Sequence, residues 1–190
     1  MTITGTQTDA GSSANVASAA VIKKGDVDVT ANYDITYTDG TLTVTKATSN
    51  TVTVAIEGWT YGDTAKTPTS TATFGTVSYT YSATLNGTYS ETVPSTAGTW
   101  YVKANVAETT NYVGGSATQE FTIAQKALTI TADSDTKAYD GTDLTKNSYP
   151  SDGLVQGDSI SSVTLTGTQT HAGTSANKAS AAVIVNATGT

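Results

Sequence analysis

Residues 2–22 read TITGTQTDAGSSANVASAAVI, and residues 164–184 read TLTGTQTHAGTSANKASAAVI. The two stretches stand 162 residues apart and differ at four of 21 positions: Ile3/Leu165, Asp9/His171, Ser12/Thr174 and Val16/Lys178. Two of these swaps are conservative, and two exchange residues of different charge, as solvent-facing loop positions tolerate. A near-verbatim repeat at so long a period marks tandem modules. The chain is therefore expected to begin and end inside a module. Met1 takes the place that Val163 holds in the second copy and reads as an added start codon. The chain is accordingly expected to be a slice of a longer protein.

Composition points to strands. Thr makes up roughly a fifth of the chain, and with Val, Ile and Tyr it favours pleated, half-buried segments. No long stretch shows helical spacing of apolar residues, so an all-β fold is expected. All nine basic residues are Lys, and the net charge is −7. Without arginine, the residue of bidentate phosphate and base contacts, nucleic-acid binding is not expected. The lack of a basic face argues equally against anionic lipid. No apolar run approaches a membrane span, so no membrane insertion is expected. Cysteine is absent; a secreted eukaryotic β-domain of this size would be expected to carry disulfides. Acidity and the missing cysteines together lean towards an extracellular bacterial surface protein.

Along the chain, three pieces emerge: 1–46, 47–125 and 126–190. In the first, Gln7 to Asn15 reads as a loop rich in Gly, Ser and Asp. Residues 32–45, NYDITYTDGTLTVT, read as two alternating strands joined by a tight turn at Asp39-Gly40. The middle piece offers strands over 51–56, 76–82, 98–106 and 117–123. In Trp100-Tyr101-Val102-Lys103-Ala104-Asn105-Val106 the even positions are apolar, as in an antiparallel strand with one face on a core. Turn signals every 8–12 residues over about 80 residues suggest a small immunoglobulin-like sandwich. The third piece opens with a strand over 127–132, turns at Asp140-Gly141 and Asp152-Gly153, and closes with the repeat. It lacks a counterpart of residues 33–45. The first piece is thus read as the C-terminal part of a module and the third as the N-terminal part of another. Neither junction carries a Gly/Ser or Pro-rich spacer, so little hinging and an elongated, stiff array are expected.

Two families are similar at this level. Lys137-Ala138-Tyr139-Asp140-Gly141-Thr142, then Gly153-Leu154-Val155-Gln156-Gly157-Asp158, with Asn32-Tyr33-Asp34-Ile35 in the earlier copy, resembles the YDG domain. Gly58-Trp59-Thr60-Tyr61-Gly62, Ala97-Gly98-Thr99-Trp100-Tyr101-Val102 and Asn111-Tyr112 resemble the MBG domain of the type named for its Tyr-Gly motif. Both families recur in long repetitive surface proteins of bacteria. The resemblance covers nearly the whole chain and implies a secreted or cell-surface, adhesin-like protein. It carries over no catalytic or binding residue.

The residues themselves offer little chemistry. His171 is the only histidine and faces Asp9 in the other copy, so a triad or His-based metal site would exist in one repeat alone. No cysteine nucleophile, HExxH or phosphate loop is present. The chain is read as not an enzyme, with no catalytic residue, no metal and no cofactor. The acidic segment 133–143 has oxygen ligands of the kind calcium takes, but not the spacing of an EF-hand; it reads as a polar strand and a turn. Lys137 beside Asp135 and Asp140 brings a Lys–Asn crosslink to mind, yet reads as a solvated residue. Trp59 and Tyr61 lie two apart, on one face if extended, and form the candidate binding platform for a glycan or host surface ligand. Tyr79 and Tyr81 repeat that spacing. The split modules point to head-to-tail self-association, the 33–45 segment of one chain completing residues 126–184 of another. Of these roles, a structural stalk or spacer is the first expectation and a ligand-binding module the second.

Overall fold

A computed structural model describes residues 1–186. The protein is all-β: among the described residues there is no α-helix, only a 3-10 turn at Thr30–Asn32. The first piece carries strands β1 (Thr2–Thr4), β2 (Gly11–Ser18), β3 (Lys23–Lys24), β4 (Val27–Asp28) and β5 (Gly40–Val44). The middle carries β6 (Val52–Ala55), β7 (Trp59–Thr60), β8 (Thr69–Ala72), β9 (Val77–Ser82), β10 (Gly98–Val106) and β11 (Gly115–Ala124). The last carries β12 (Thr129–Ile130), β13 (Ser151–Asp152), β14 (Ser159–Thr166) and β15 (Lys178–Val185).

These strands form two compact units. The first unit holds Met1–Ile56, Pro68–Thr92 and Tyr101–Glu120; the second holds Glu57–Thr67, Val93–Trp100 and the chain from Phe121 onward. In the first, β2 lies between β1 and β5 in a three-stranded sheet, β6 pairs with β8, and β9 runs antiparallel to β10. In the second, β7 runs parallel to the end of β11, β12 pairs with β13, and β14 pairs with β15.

The alternation read along residues 100–106 is realised: Val102 and Ala104 have no exposed surface, Val106 is buried, and Tyr101, Lys103 and Asn105 face outward half-exposed. Ile56 and Tyr81 complete the core of the first unit, and Trp59, Phe121 and Ile123 form that of the second. Burying a side chain such as Val102 or Ile123 contributes on the order of 1.5–3 kcal/mol. Among the described residues, every buried one lies within the span from Ile56 to Ile123. The repeats on either side are held by register and hydrogen bonds.

Two expectations for the first piece are corrected. Residues 33–39 form no strand, so there is no hairpin about Asp39-Gly40. Gly40 lacks the positive φ that such a turn needs and instead opens β5. Side chains hold the approach: the Ala20 N–H donates to Tyr37 Oη (2.7 Å) and the Ala17 N–H to Asp39 Oδ1 (3.3 Å). The partner of β5 is the stretch read as a loop: Gly11 faces Val44, Ser13 faces Leu42 and Asn15 faces Gly40. The small residues there allow a close approach on the other side, where a Cβ on Gly5 would stand 2.7 Å from the Ala14 carbonyl oxygen. The tight hairpin of this piece is β3–β4, with Gly25 (φ 65°) in its two-residue loop. Gly141 (φ 81°) and Gly153 (φ 99°) have the positive φ that a tight change of direction needs, and both stand at bends, Asp152 itself closing β13.

Candidate functional site

Trp59 and Tyr61 leave β7 in different environments. Trp59 is 8% exposed, its ring stacked on Phe121 at 5.2 Å and 24°. It is a core residue of the second unit. Tyr61 is half-buried; its N–H donates to the Ala124 carbonyl (2.8 Å) and its hydroxyl to Asp158 (2.9 Å to Oδ2). That bond to Asp158, helped by partial burial, holds the Tyr61 phenol above its ordinary pKa. Both glycines of the Gly58–Gly62 motif have packing reasons. A Cβ on Gly58 would run into the Thr122 carbonyl oxygen, and Gly62, at φ 87°, lies against Val155, whose Cγ2 would stand 2.6 Å from a Cβ. The other aromatic pair is likewise engaged: Tyr79 shares a 2.6 Å hydrogen bond with Ser70, and Tyr81 is buried.

Tyr61 lines an open cleft of about 400 Å³ with Ala97, Gln125, Leu128, Val155 and Asp158. A second cleft in the same unit, about 490 Å³, runs between residues 133–139 and 167–177. His171, Tyr139 and Lys137 sit on its walls. Asn177, which the sequence reading did not single out, ties them together, its Nδ2 donating to the carbonyls of Asp133 and Lys146 at 2.9 Å each. Its identity with Asn15 in the first copy was the available signal.

The carboxylates beside this cleft are each turned to a separate partner. Asp133 accepts from Ser148, Asp143 accepts from Thr170 (2.5 Å each), and Asp135 lies 3.8 Å from Lys146 Nζ. Lys137 Nζ donates to Asp140 Oδ1 (2.9 Å) and to Thr142 Oγ1 (2.5 Å), and the Thr142 N–H returns to the same carboxylate oxygen (2.9 Å). The Lys137 ammonium, then Thr142, hold the Asp140 carboxyl well below the usual carboxylate range. Lys137 therefore closes a turn about Asp140-Gly141. Among the described residues no group of three His, Cys, Asp or Glu side chains is placed to hold a metal ion.

Polar contacts also gather at the two junctions. In the first unit, Ala47 forms a parallel bridge to Tyr112, with the Ala47 N–H donating to the Asn111 carbonyl at 2.9 Å. The Asn111 side chain spans the gap to the repeat, accepting from the Ala10 N–H (2.6 Å) and donating to Asp9 Oδ1 (2.8 Å). Lys46 pairs with Glu108, holding that carboxyl below its ordinary pKa. Phe74 stacks on Tyr112 at 4.1 Å. In the second unit the corresponding place is held by Tyr61, Gly62, Val155 and Asp158. Against known proteins, no family model, no curated protein and no solved structure matches this chain. Among the described residues no helix is long and apolar enough to cross a membrane.

Proposed function

We propose that this chain is a non-catalytic stalk or spacer of a bacterial secreted or cell-surface adhesin-like protein. It is assembled from YDG-type and MBG-type modules: partial modules over 1–46 and 126–190, and an immunoglobulin-like sandwich over 47–125. A stalk has to transmit position without hinging. The observation that carries the reading is the junction at Lys46-Ala47, which has no spacer and is pinned by backbone bonds between Ala47 and both Asn111 and Val113, the Asn111 side chain and the Lys46–Glu108 pair. A free linker of this length would make none of these contacts.

The test is ¹⁵N relaxation on the whole chain. Amides of residues 2–44 and those of β6, β8 and β9 are expected to report one common rotational tensor. Separate correlation times for the two sets would sink the stalk reading. A second reading, a glycan-binding module, draws on the cleft beside Tyr61. Titration with mucin glycans that moved the Tyr61 and Val155 signals would favour it; unchanged signals would remove it.

A further inference from the structure

The two copies of the repeat share a backbone in detail. Thr2 faces Ser18, Ile3 faces Ala17 and Thr4 faces Val16; in the second copy Thr164 faces Ser180, Leu165 faces Ala179 and Thr166 faces Lys178, the same register. Ser13 Oγ donates to the Thr6 carbonyl and Ser175 Oγ to that of Thr168, both at 2.8 Å. Gly11 and Gly173 have φ of 145° and 147°, and Ala19 and Ala181 both have 49°.

One thing differs. In the first copy β5 lies along residues 11–15 through five paired positions. Among the described residues no strand pairs with residues 173–177. Ser13 is half-buried beside β5, whereas its counterpart Ser175 is exposed; Gly173, Thr174 and Ala176 are exposed as their counterparts Gly11, Ser12 and Ala14 are. These residues border the larger cleft. A strand-shaped backbone with free N–H and C=O groups recruits another strand.

We infer that residues 173–177 are a receiving edge for strand β5 of a second copy of this chain. The first copy sets the register: Gly40 opposite Asn177, Thr41 opposite Ala176, Leu42 opposite Ser175, Thr43 opposite Thr174 and Val44 opposite Gly173. The receiving sequence is Gly-Ser-Ser-Ala-Asn in one copy and Gly-Thr-Ser-Ala-Asn in the other. Its single change keeps the hydroxyl that meets Thr43 Oγ1 at 3.0 Å in the first copy. The two backbone donors that grip Tyr37 and Asp39, Ala20 and Ala17, recur as Ala182 and Ala179. The donor is loosely held where it is: in β5 only Leu42 is half-buried, and the other four residues are exposed. Release therefore costs little buried surface, and the new seat lies beside the wall of the larger cleft. Transfer from chain to chain is heterologous, so it extends into an open array unless two chains exchange reciprocally. The pairing is independent of the stalk reading, which would stand for a chain that remains single.

The experiment adds a synthetic peptide of residues 37–46 to the labelled full-length chain and follows amide hydrogen exchange. Exchange at residues 173–177 is expected to slow tenfold or more at saturation, and a peptide carrying Leu42→Asp is expected to give no protection. Unchanged exchange there with the unaltered peptide overturns the receiving edge. Light scattering of the chain alone tests the donor: molar mass is expected to rise with concentration above 19.3 kDa and to fall back on adding excess peptide. A single-chain mass at every concentration, or growth that the peptide leaves intact, overturns the second copy as the source. The relaxation test of the Lys46-Ala47 junction is read separately, on different residues.

Discussion

Residues 2–22 and 164–184 are nearly one sequence in two settings. Their strands pair in one register, their glycines meet the same carbonyls and their left-handed alanines share one φ. Yet one copy is flanked by β5 and clamped by Asn111, while the other borders an open cleft and is braced by Asp133 and Lys146. The repeat thus fixes its own backbone, and its neighbours fix what the edge does. Features internal to the repeat should respond alike to mutation in both copies. Features of the setting should respond in one.

The largest equal effect is expected at Gly5 and Gly167. A Cβ at either would stand 2.7–2.8 Å from a backbone oxygen, that of Ala14 or Ala176, with the Asn15 or Asn177 Cα within 2.9 Å. Backbone atoms cannot swing aside as a side chain would, so Gly5→Ala and Gly167→Ala should each cost about 1–3 kcal/mol. Hydrogen exchange of the β1–β2 and β14–β15 ladders measures each locally. A cost present in one copy and absent from the other would break the equivalence.

Next comes a one-sided effect. Asn111→Ala removes the acceptor of the Ala10 N–H and the donor to Asp9, two bonds that only the first copy makes. A loss of about 1–2 kcal/mol is expected in exchange at Ala10 and its neighbours, with residues 171–172 unmoved. Equal loosening of both copies would mean that the clamp acts on the whole chain.

The same division explains what was legible in sequence. Period-two alternation marked Val102, Ala104 and Val106 as buried because that pattern depends only on one strand having a wet and a dry face. The turn glycines at 141 and 153 were legible because positive φ is a local demand. Partners were not legible. A strand at Leu42 and Val44 was legible, but only Leu42 is half-buried, and the strand pairs with residues 11–15 rather than with the adjacent 33–37, since a Gly/Ser-rich stretch reads as loop until its neighbour is known. Trp59 and Tyr61, two apart, were read as a shared platform; in the fold one stacks in the core and the other bonds Asp158. Asn177, with its two carbonyl partners, had no local signal beyond the repeat itself.

A smaller, symmetric gain is expected at Ala19 and Ala181. An alanine at φ 49° bears the left-handed penalty of roughly 1–2 kcal/mol, while glycine there would lose more chain entropy on folding, about 0.5–1 kcal/mol. Ala19→Gly and Ala181→Gly should each stabilise by about 0.5 kcal/mol, read as a rise in the urea midpoint. Destabilisation in both would mean that the methyl groups pack, and that the shared φ is held by contacts rather than tolerated.

The smallest effect contrasts two exposed carboxylates in the two settings. Asp28, in the first piece, accepts from the side chain and backbone of Thr30; Asp140, in the third, accepts first from Lys137 and then from Thr142. Both are held below the ordinary aspartate value of 3.8, Asp140 the further. A carboxyl depressed in the folded state adds stability that is fully present above its unfolded pKa. That stability drains as pH falls from about 3.8 through the folded value. On acidification the Thr30 amide should therefore loosen before the Thr142 amide, with carboxyl ¹³C shifts giving a lower midpoint for Asp140 than for Asp28. Because both groups face water, the change in global stability is small and salt should diminish the Lys137 contribution. Coincident midpoints, both still below the ordinary value, would show that the Lys137 contact is not formed in solution. The Asp140-Gly141 turn would then be held by Thr142 alone, as the Asp28 turn is by Thr30.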